Sequence, residues 1–407
     1  MIYTVLHILF FVVFAWLTID ILYLLFVSIA AYFYRAKGDH RSAEKKNIAI
    51  LIPSYREDDV IVNTVSLACS NNYPEQHFDI FVAADRLQPS TIDRLKKTRA
   101  HIFEVDFTTG SKARSLNYLL NKIDESKYDI ALVLDGDNVM KPDFLDQINT
   151  AFQRGYKVVQ AHRMAKNLNT SVAVLDAISE EINNHFFRKA QSALGLSSSL
   201  IGSGMAFPFR LLKQVYNKPG ILDNPACDRE VDFEMLKANA RIIYLDHAHL
   251  LDEKVASKNV FENQRRRWME SQLMHISLFF SRREKVNRKN ADYWNKLFIN
   301  LIPPRSLVLS LFFFIFCLSI VEYLTQINIT GISWQLWLLL FLIYIISMLL
   351  AVPAKFFSMR TAKAFFYLPA ILFSFIKAAV TVRANRKEFV HTPKTFTGNS
   401  ASTEKPE

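Results

Sequence analysis

Ile130-Ala-Leu-Val-Leu-Asp135-Gly136-Asp137 is the stretch from which the rest of the chain can be ordered. Its unbroken apolar run, with β-branched Ile130 and Val133, reads as a strand buried on both faces of a parallel sheet. Two carboxylates stand where that strand ends. Like charges this close, around a flexible glycine, are costly unless a cation or a proton lies between them, and a divalent metal is the natural occupant. An ordinary Asp-Gly surface turn is the competing reading.

Upstream of that stretch, strands and helices alternate. Asn47-Ile-Ala-Ile-Leu-Ile52 predicts a strand closed by Pro53, followed by a helix from Asp58 to Cys69. A second strand runs from Phe78 to Ala84 and ends at Asp85; a third covers His101 to Val105, and a helix follows from Ala113 to Ile123. Such alternation predicts an α/β domain with a mostly parallel sheet and crossover helices. Ligands bind beyond the carboxyl ends of such strands, where Glu57, Asp85, Asp135 and Asp137 all fall. No G-x-G-x-x-G follows the first strand and no G-x-x-x-x-G-K-[ST] occurs, which disfavours a dinucleotide enzyme and a P-loop NTPase. Lys112 either approaches a phosphate from its turn or is a solvated surface lysine.

Downstream, a helix is expected from Val172 to Ala193. Leu200-Ile-Gly202-Ser203-Gly204-Met205-Ala-Phe207 sets two glycines around a serine, which permits close backbone approach to a ligand or marks a strand bulge. Asp228 is positioned to cap a helix containing Val231, Met235 and Leu236. Gln264-Arg265-Arg266-Arg267-Trp268 joins three arginines to an aromatic platform, a combination suited to a diphosphate and a sugar ring.

The 407 residues, 51% of them hydrophobic, accommodate one soluble domain and membrane segments. A net charge of +11 suits an anionic partner, but the basic residues cluster beside apolar segments, which argues for a membrane surface and against nucleic acid. Cys69, Cys227 and Cys317 form no C-x-x-C pair, so neither a disulfide framework nor a zinc site is indicated. From Ile2 to Phe33 the only formal charge is Asp20, and a membrane helix is expected there; Asp20 either faces a bundle or lies near the interface. The absence of a basic residue before this run and of a small-residue cleavage site after it disfavours a signal peptide. Arg35, Lys37, Arg41, Lys45 and Lys46 put the following domain in the cytoplasm. Met269 to Phe280 reads as an amphipathic interfacial helix, followed by a basic cluster at Arg282, Arg283, Lys285, Arg288 and Lys289. Leu307 to Leu324 and Trp334 to Val352 approach spanning length, while 364–382 either crosses or re-enters. The implied division is 1–34 membrane helix, 35–268 catalytic domain, 269–304 interfacial helices, 305–382 membrane helices and 383–407 cytoplasmic or disordered tail.

Taken in order, these motifs resemble the membrane-embedded family 2 glycosyltransferases, the group of cellulose, chitin, hyaluronan and poly-N-acetylglucosamine synthases. Pro53-Ser-Tyr55-Arg-Glu57 resembles the opening motif around the nucleotide base, and Asp85 its uracil-side aspartate. Thr109 to Asn117, containing Lys112, is similar to the G-K-x-x-A-L-N segment, and Asp135-Gly-Asp137 to the D-x-D that holds metal and diphosphate. Ile201 to Phe207 looks like the acceptor loop, with Gly202, Ser203 and Gly204, and Gln264 to Trp268 fits Q-x-x-R-W. The resemblance implies a GT-A type fold, Mg²⁺ or Mn²⁺ at Asp137 with Asp135, and a nucleoside-diphosphate sugar, expected to be a UDP-sugar. It also implies Asp228 as base, Gln264 with Arg266 or Arg267 at the donor, and Trp268 stacked on the acceptor. The sequence departs where Cys227 replaces the glutamate of the usual Glu-Asp pair, which leaves Asp232 as the alternative base. Asn239 stands where glycine is usual, a left-handed position that asparagine tolerates. The expected product is a polysaccharide. A lipid acceptor at the inner leaflet is the alternative, and an inactive scaffold is a further one. A second copy or an accessory subunit would complete a polymer channel.

Overall fold

The computed structural model describes residues 2–35, 44–107, 110–218, 220–222, 224, 227–281, 286–367, 394 and 396. A long apolar helix, α1 (Ile2–Ala30), precedes the predicted alternation. The alternation runs β1 (Ile48–Tyr55), α2 (Asp58–Cys69), β2 (Phe78–Asp85), α3 (Pro89–Leu95), β3 (His101–Val105), α4 (Lys112–Lys122) and β4 (Ile130–Val133). The four strands lie parallel in the order β3, β2, β1, β4. In β1 every residue but Tyr55 is buried, and in β4 all are, as continuous apolar runs require of strands covered on both faces. Side chains alternate between those faces. Ile48, Ile50 and Ile52 join one core with α2, while Ala49 and Leu51 join a second core with α4.

The remaining elements of the domain are β5 (Val139–Met140), α5 (Phe144–Gln153), β6 (Val158–Ala165), α6 (Ser171–Asn184), α7 (Ala190–Ala193), β7 (Met205–Pro208), α8 (Phe209–Tyr216), α9 (Cys227–Lys237) and β8 (Ile242–Asp252). They extend the sheet as β7, β6, β8, β5. The pair β6–β8 is parallel, whereas β7 is antiparallel to both β4 and β6, and β5 to β8. The α/β class therefore holds, with a mixed second half. Gly202 and Gly204, at φ +88° and +62°, make the reversal that sends β7 back along β4.

Three local readings change. The helix expected from Val172 to Ala193 is present but passes through a π turn at His185–Lys189 between α6 and α7. Asp228 is not a cap: it lies inside the first turn of α9. The amphipathic element expected from Met269 is the second half of one helix, α10 (Lys258–Phe280), because no Gly or Pro interrupts that span. Asn239, at φ +55°, ends α9 in the expected left-handed conformation.

The chain continues as α11 (Ala291–Leu301), α12 (Arg305–Thr325), α13 (Trp334–Ala351) and α14 (Met359–Phe365). Three helical stretches, Ile2–Phe33, Arg305–Thr325 and Trp334–Ala351, are long and apolar enough to cross a membrane. A third core joins them to the domain: Leu17, Ile21 and Leu24 of α1 pack with Ile178 and Ile182 of α6, Val308 and Phe312 of α12, and Trp337 and Tyr344 of α13. Their other faces carry exposed Ile8, Phe11, Phe313 and Leu339, the surface a bilayer would cover. The predicted basic residues Lys37, Arg41, Arg282, Arg283 and Lys285, most of segment 364–382, and the tail apart from 394 and 396 lie outside the described residues.

Candidate active site

The two aspartates beyond β4 are held in a braced turn. Asn138 ties it twice: its Oδ1 accepts from the Asp135 amide at 3.0 Å, and its Nδ2 donates to Asp252 at 3.1 Å. Gly136 is there for space, since a Cβ would run into the Glu57 carboxylate. Lys112, at the start of α4, donates to Asp135 and, at 2.7 Å, to the Gly202 carbonyl. Asp137 accepts at Oδ2 from the Glu253 amide and from Lys394 Nζ, both at 2.9 Å. Burial, then the charges of Asp137 and Asp135, push the Glu57 carboxyl up to about 8. These carboxylates therefore form one coupled acidic cluster facing several lysines.

A second charged layer backs the first. Arg163 of β6 pairs with Glu180 of α6 at 2.6 Å, and buried Lys254 pairs with Glu180 and, at 2.8 Å, with Asp252. Burial works against the Asp252 carboxylate, but Arg163 and Lys254 outweigh it and hold the group well below the usual range. Composition and motif spacing did not reveal this layer; the charged triplet Asp252-Glu253-Lys254 closing an apolar strand was the available signal, while Lys394 lies in the tail segment Phe389-Val-His-Thr392-Pro393-Lys394 that resembles one near the end of family members.

Asp85 is buried, and neither carboxylate oxygen has a hydrogen-bond partner among the described residues. Burial pushes its carboxyl up. It ends β2 directly beside Tyr55 of β1, whose ring lies over Gly110 so closely that a Cβ there would come within 2.7 Å of it. Pro53, Tyr55 and Glu57 line the cavity described below, whereas Asp85 does not.

The two candidate bases differ in their surroundings. Asp232 accepts from Lys296 Nζ at 2.8 and 3.0 Å and from the Leu200 amide at 3.1 Å. Asp228 has no hydrogen bond or ion pair among the described residues, and a Cβ on Gly202 would lie 3.6 Å from both its carboxylate and the Lys112 ammonium. Cys227 points the other way, into the core, where burial and the neighbouring Asp228 push its thiol up to about 12. Ser203 is buried between Arg163 and Gln160, and a Cβ on Gly204 would come within 3.0 Å of Leu250, so these two shape the turn.

On α10, Arg265 pairs with Asp176 and lies over the rings of Phe261 and Trp268, at 4.6 and 4.0 Å. That contact fixes Trp268, which remains 38% exposed. Arg267 and Trp268 line the cavity, whereas Arg266 bonds Asn263 at 3.0 Å and does not. The cavity, about 930 Å³, runs from Tyr55, Glu57, Asp135 and Asp137 past Asp228 and Trp268 to Asp20, Arg305 and Tyr344 between the apolar helices. At that far end Asp20, Ser271, His275 and Ser306 have side-chain polar atoms that are buried without partners among the described residues, as does Gln264 Oε1 nearer the motif. Burial, helped by Arg229, lowers the His275 pKa to about 3, so its ring is neutral.

A family model described as "Glycosyltransferase like family 2" matches residues 46–271, more than half of the chain. The chain belongs to glycosyltransferase family 2. The fold is GT-A-like, and a solved structure shares it. The mannosyltransferase PcManGT from Pyrobaculum calidifontis, in complex with GDP-Man and Mn²⁺, is 14% identical with a TM-score of 0.58, over 93% of this chain and 98% of that one. Staphylococcus aureus TarS 1-349 is 14% identical with a TM-score of 0.43, over 82% of this chain and 90% of that one. Glucosyl-3-phosphoglycerate synthase from Mycobacterium tuberculosis, with Mn²⁺, UDP and phosphoglyceric acid, is 14% identical with a TM-score of 0.40, over 56% and 78%. A comparison with curated protein sequences finds no match. Within this family 2 glycosyltransferase, the domain that matches the family model ends within α10, just past Trp268.

Proposed function

We propose that this family 2 glycosyltransferase works at a membrane, moving a sugar from a nucleoside-diphosphate sugar, expected to be a UDP-sugar, to a growing polysaccharide with inversion. The observation that carries the reading is Asp228: a carboxylate without a partner among the described residues, beside Gly202 and Lys112, in one cavity with the aspartate pair and Trp268. In this reading Asp228 takes the acceptor hydroxyl proton while that oxygen bonds to the anomeric carbon and the bond to the diphosphate oxygen breaks. Asp232 is a poorer candidate because its charge is committed to Lys296.

Asp85 and Tyr55 are suited to the nucleobase, Asp85 as a buried acceptor for a base N–H. Lys112 and Arg267 are suited to the diphosphate, and Arg266 is placed to steady the helix. Asp137 and Asp135 fit Mg²⁺ or Mn²⁺: an ammonium already rests on Asp137. Among the described residues no group of three or more His, Cys, Asp or Glu side chains is arranged to hold a metal. When bound, the metal would offset charge on the departing diphosphate. Trp268 offers the acceptor a stacking face.

The cavity's opening between apolar helices also fits a second reading, transfer to a membrane lipid acceptor. Nucleoside diphosphate release by the full chain in lipid nanodiscs, with Mn²⁺ or Mg²⁺ and a panel of UDP- and GDP-sugars, followed by product sizing, separates the two. Asp228→Asn should cut transfer by roughly 10³-fold while nucleotide binding persists. Wild-type turnover by that variant would remove the assignment.

A further inference from the structure

Helix α6 carries three buried acids, Asp176, Glu180 and Glu181, and each is committed to a different element. Asp176 and Glu180 lie one turn apart on one face. Glu180 takes Arg163 and Lys254, the layer behind the aspartate turn, while Glu181 takes His162 and Lys355. Asp176 reaches toward α10 instead: its Oδ1 accepts from Arg265, and its Oδ2 from the Val255 amide at 3.4 Å. One helix therefore braces the aspartate turn at Glu180 and the arginine–tryptophan segment at Asp176.

Arg265 is 6% exposed, and the bond to Asp176 is its one ion pair among the described residues. Its guanidinium lies over the Phe261 and Trp268 rings, four residues before it and three after, and Nε makes no hydrogen bond among the described residues. Trp268 lines the cavity and makes no hydrogen bond among the described residues either, so the orientation of its indole depends on what it packs against. We propose that Asp176 is a positioning residue for the acceptor side of transfer: it holds the Arg265 guanidinium as a platform against Trp268, and so sets from α6 the face that the indole turns to the cavity. The inference rests on the stacking role given to Trp268 above and deepens it. Asp176 does not line the cavity, so its influence on an acceptor passes through Arg265. A buried ion pair adds little stability over an apolar pair of the same shape, so anchoring α10 to α6 is a weak reason for charge at these two positions. A planar guanidinium meets a carboxylate at its edge while its faces stack on rings, which an ammonium does not do.

The test uses the full chain in nanodiscs with Mn²⁺, the donor it accepts, and cello-, chito- and manno-oligosaccharides as acceptors. Donor KM, acceptor KM and acceptor-free release of nucleoside diphosphate are measured for each variant. Arg265→Lys keeps a cation for Asp176 but loses the planar face; acceptor KM should rise about tenfold, on the scale of a desolvated cation–π contact, while donor KM and acceptor-free release change less than about twofold. Asp176→Asn should show the same split. Glu181→Gln is the control, because it breaks a buried pair on the same helix without touching α10: its unfolding temperature should fall while acceptor KM holds. An unchanged acceptor KM in Arg265→Lys would overturn the proposal, as would an equal rise in Glu181→Gln or a parallel rise in donor KM. Wild-type release that no saccharide accelerates would instead remove the polysaccharide reading beneath it.

Discussion

At the sheet end of the cavity Asp135, Asp137, Glu180 and Asp252 each meet a lysine or arginine, whereas at the membrane end Asp20, Ser271, His275 and Ser306 meet no hydrogen-bond partner among the described residues. Asp137, Glu180 and Asp252 are as buried as the membrane-end groups, so exposure does not explain the contrast. Those four charges at the sheet end are balanced within the protein, which keeps the turn beyond β4 in shape before any ligand arrives, while Asp85 and Asp228 are left without such partners among the described residues. Groups at the membrane end are left to be satisfied by whatever enters. The difference separates residues that build the site from residues that wait for a ligand.

The contrast breaks first at Lys254. Removing it as Lys254→Met leaves Glu180 with Arg163 and Asp252 with Arg163, Asn138 and the more distant Lys394, and stability should fall by about 3 kcal/mol, read as a lower unfolding temperature in detergent. Asp20→Leu should leave that temperature unchanged or raise it, because it removes a polar group that has no partner. Equal losses in the two variants would erase the distinction.

His162 sharpens the comparison through pH. Its ring lies between Glu181 at 2.9 Å and Asp246 at 3.4 Å, with Lys189 and Lys355 on the far sides of those carboxylates and His249 edge-on at 5.4 Å. Burial opposes its charge, but the hydrogen bonds to Asp246 and Glu181 prevail and raise its pKa from 6.5 to about 9. A raised pKa gives stability that is complete below about pH 6.5 and lost as pH climbs through about 9, on the order of 2–3 kcal/mol. Unfolding temperature against pH should show that decline in the wild type and lack it in His162→Gln.

The smallest effects lie between the two ends, on α10. Arg267→Ala should cost roughly tenfold in kcat/KM for the donor, as loss of a charge-assisted contact does. Arg266→Ala should change it less than about twofold, because Arg266 does not line the cavity. The reverse order would move the donor to the other face of the helix.

Much of this was legible in the sequence. The strand from Ile130 and its closing aspartates, the helix from Asp58 to Cys69 and the Q-x-x-R-W segment all depend on local periodicity and spacing, which a sequence displays directly. The charged layer of Arg163, Glu180, Asp252 and Lys254 was not, because it is assembled from β6, α6 and β8, elements far apart in the chain. The antiparallel course of β7 was hidden for a similar reason: the glycine pair marks a turn, and only the pairing with β4 and β6 states the direction. Asp20 was visible as an anomaly, yet only packing shows that it faces the cavity.

The continuity of α10 ties the two ends of the cavity by phase as well as by distance. Gln264, Trp268, Ser271 and His275 point into one space because the number of residues between them is fixed, whatever those residues are. A single residue inserted after Trp268 would preserve every motif and the apolar composition of the segment. It would turn Ser271 and His275 about 100° away from the face they share with the motif. Between Trp268 and His275, spacing is thus constrained more tightly than residue identity.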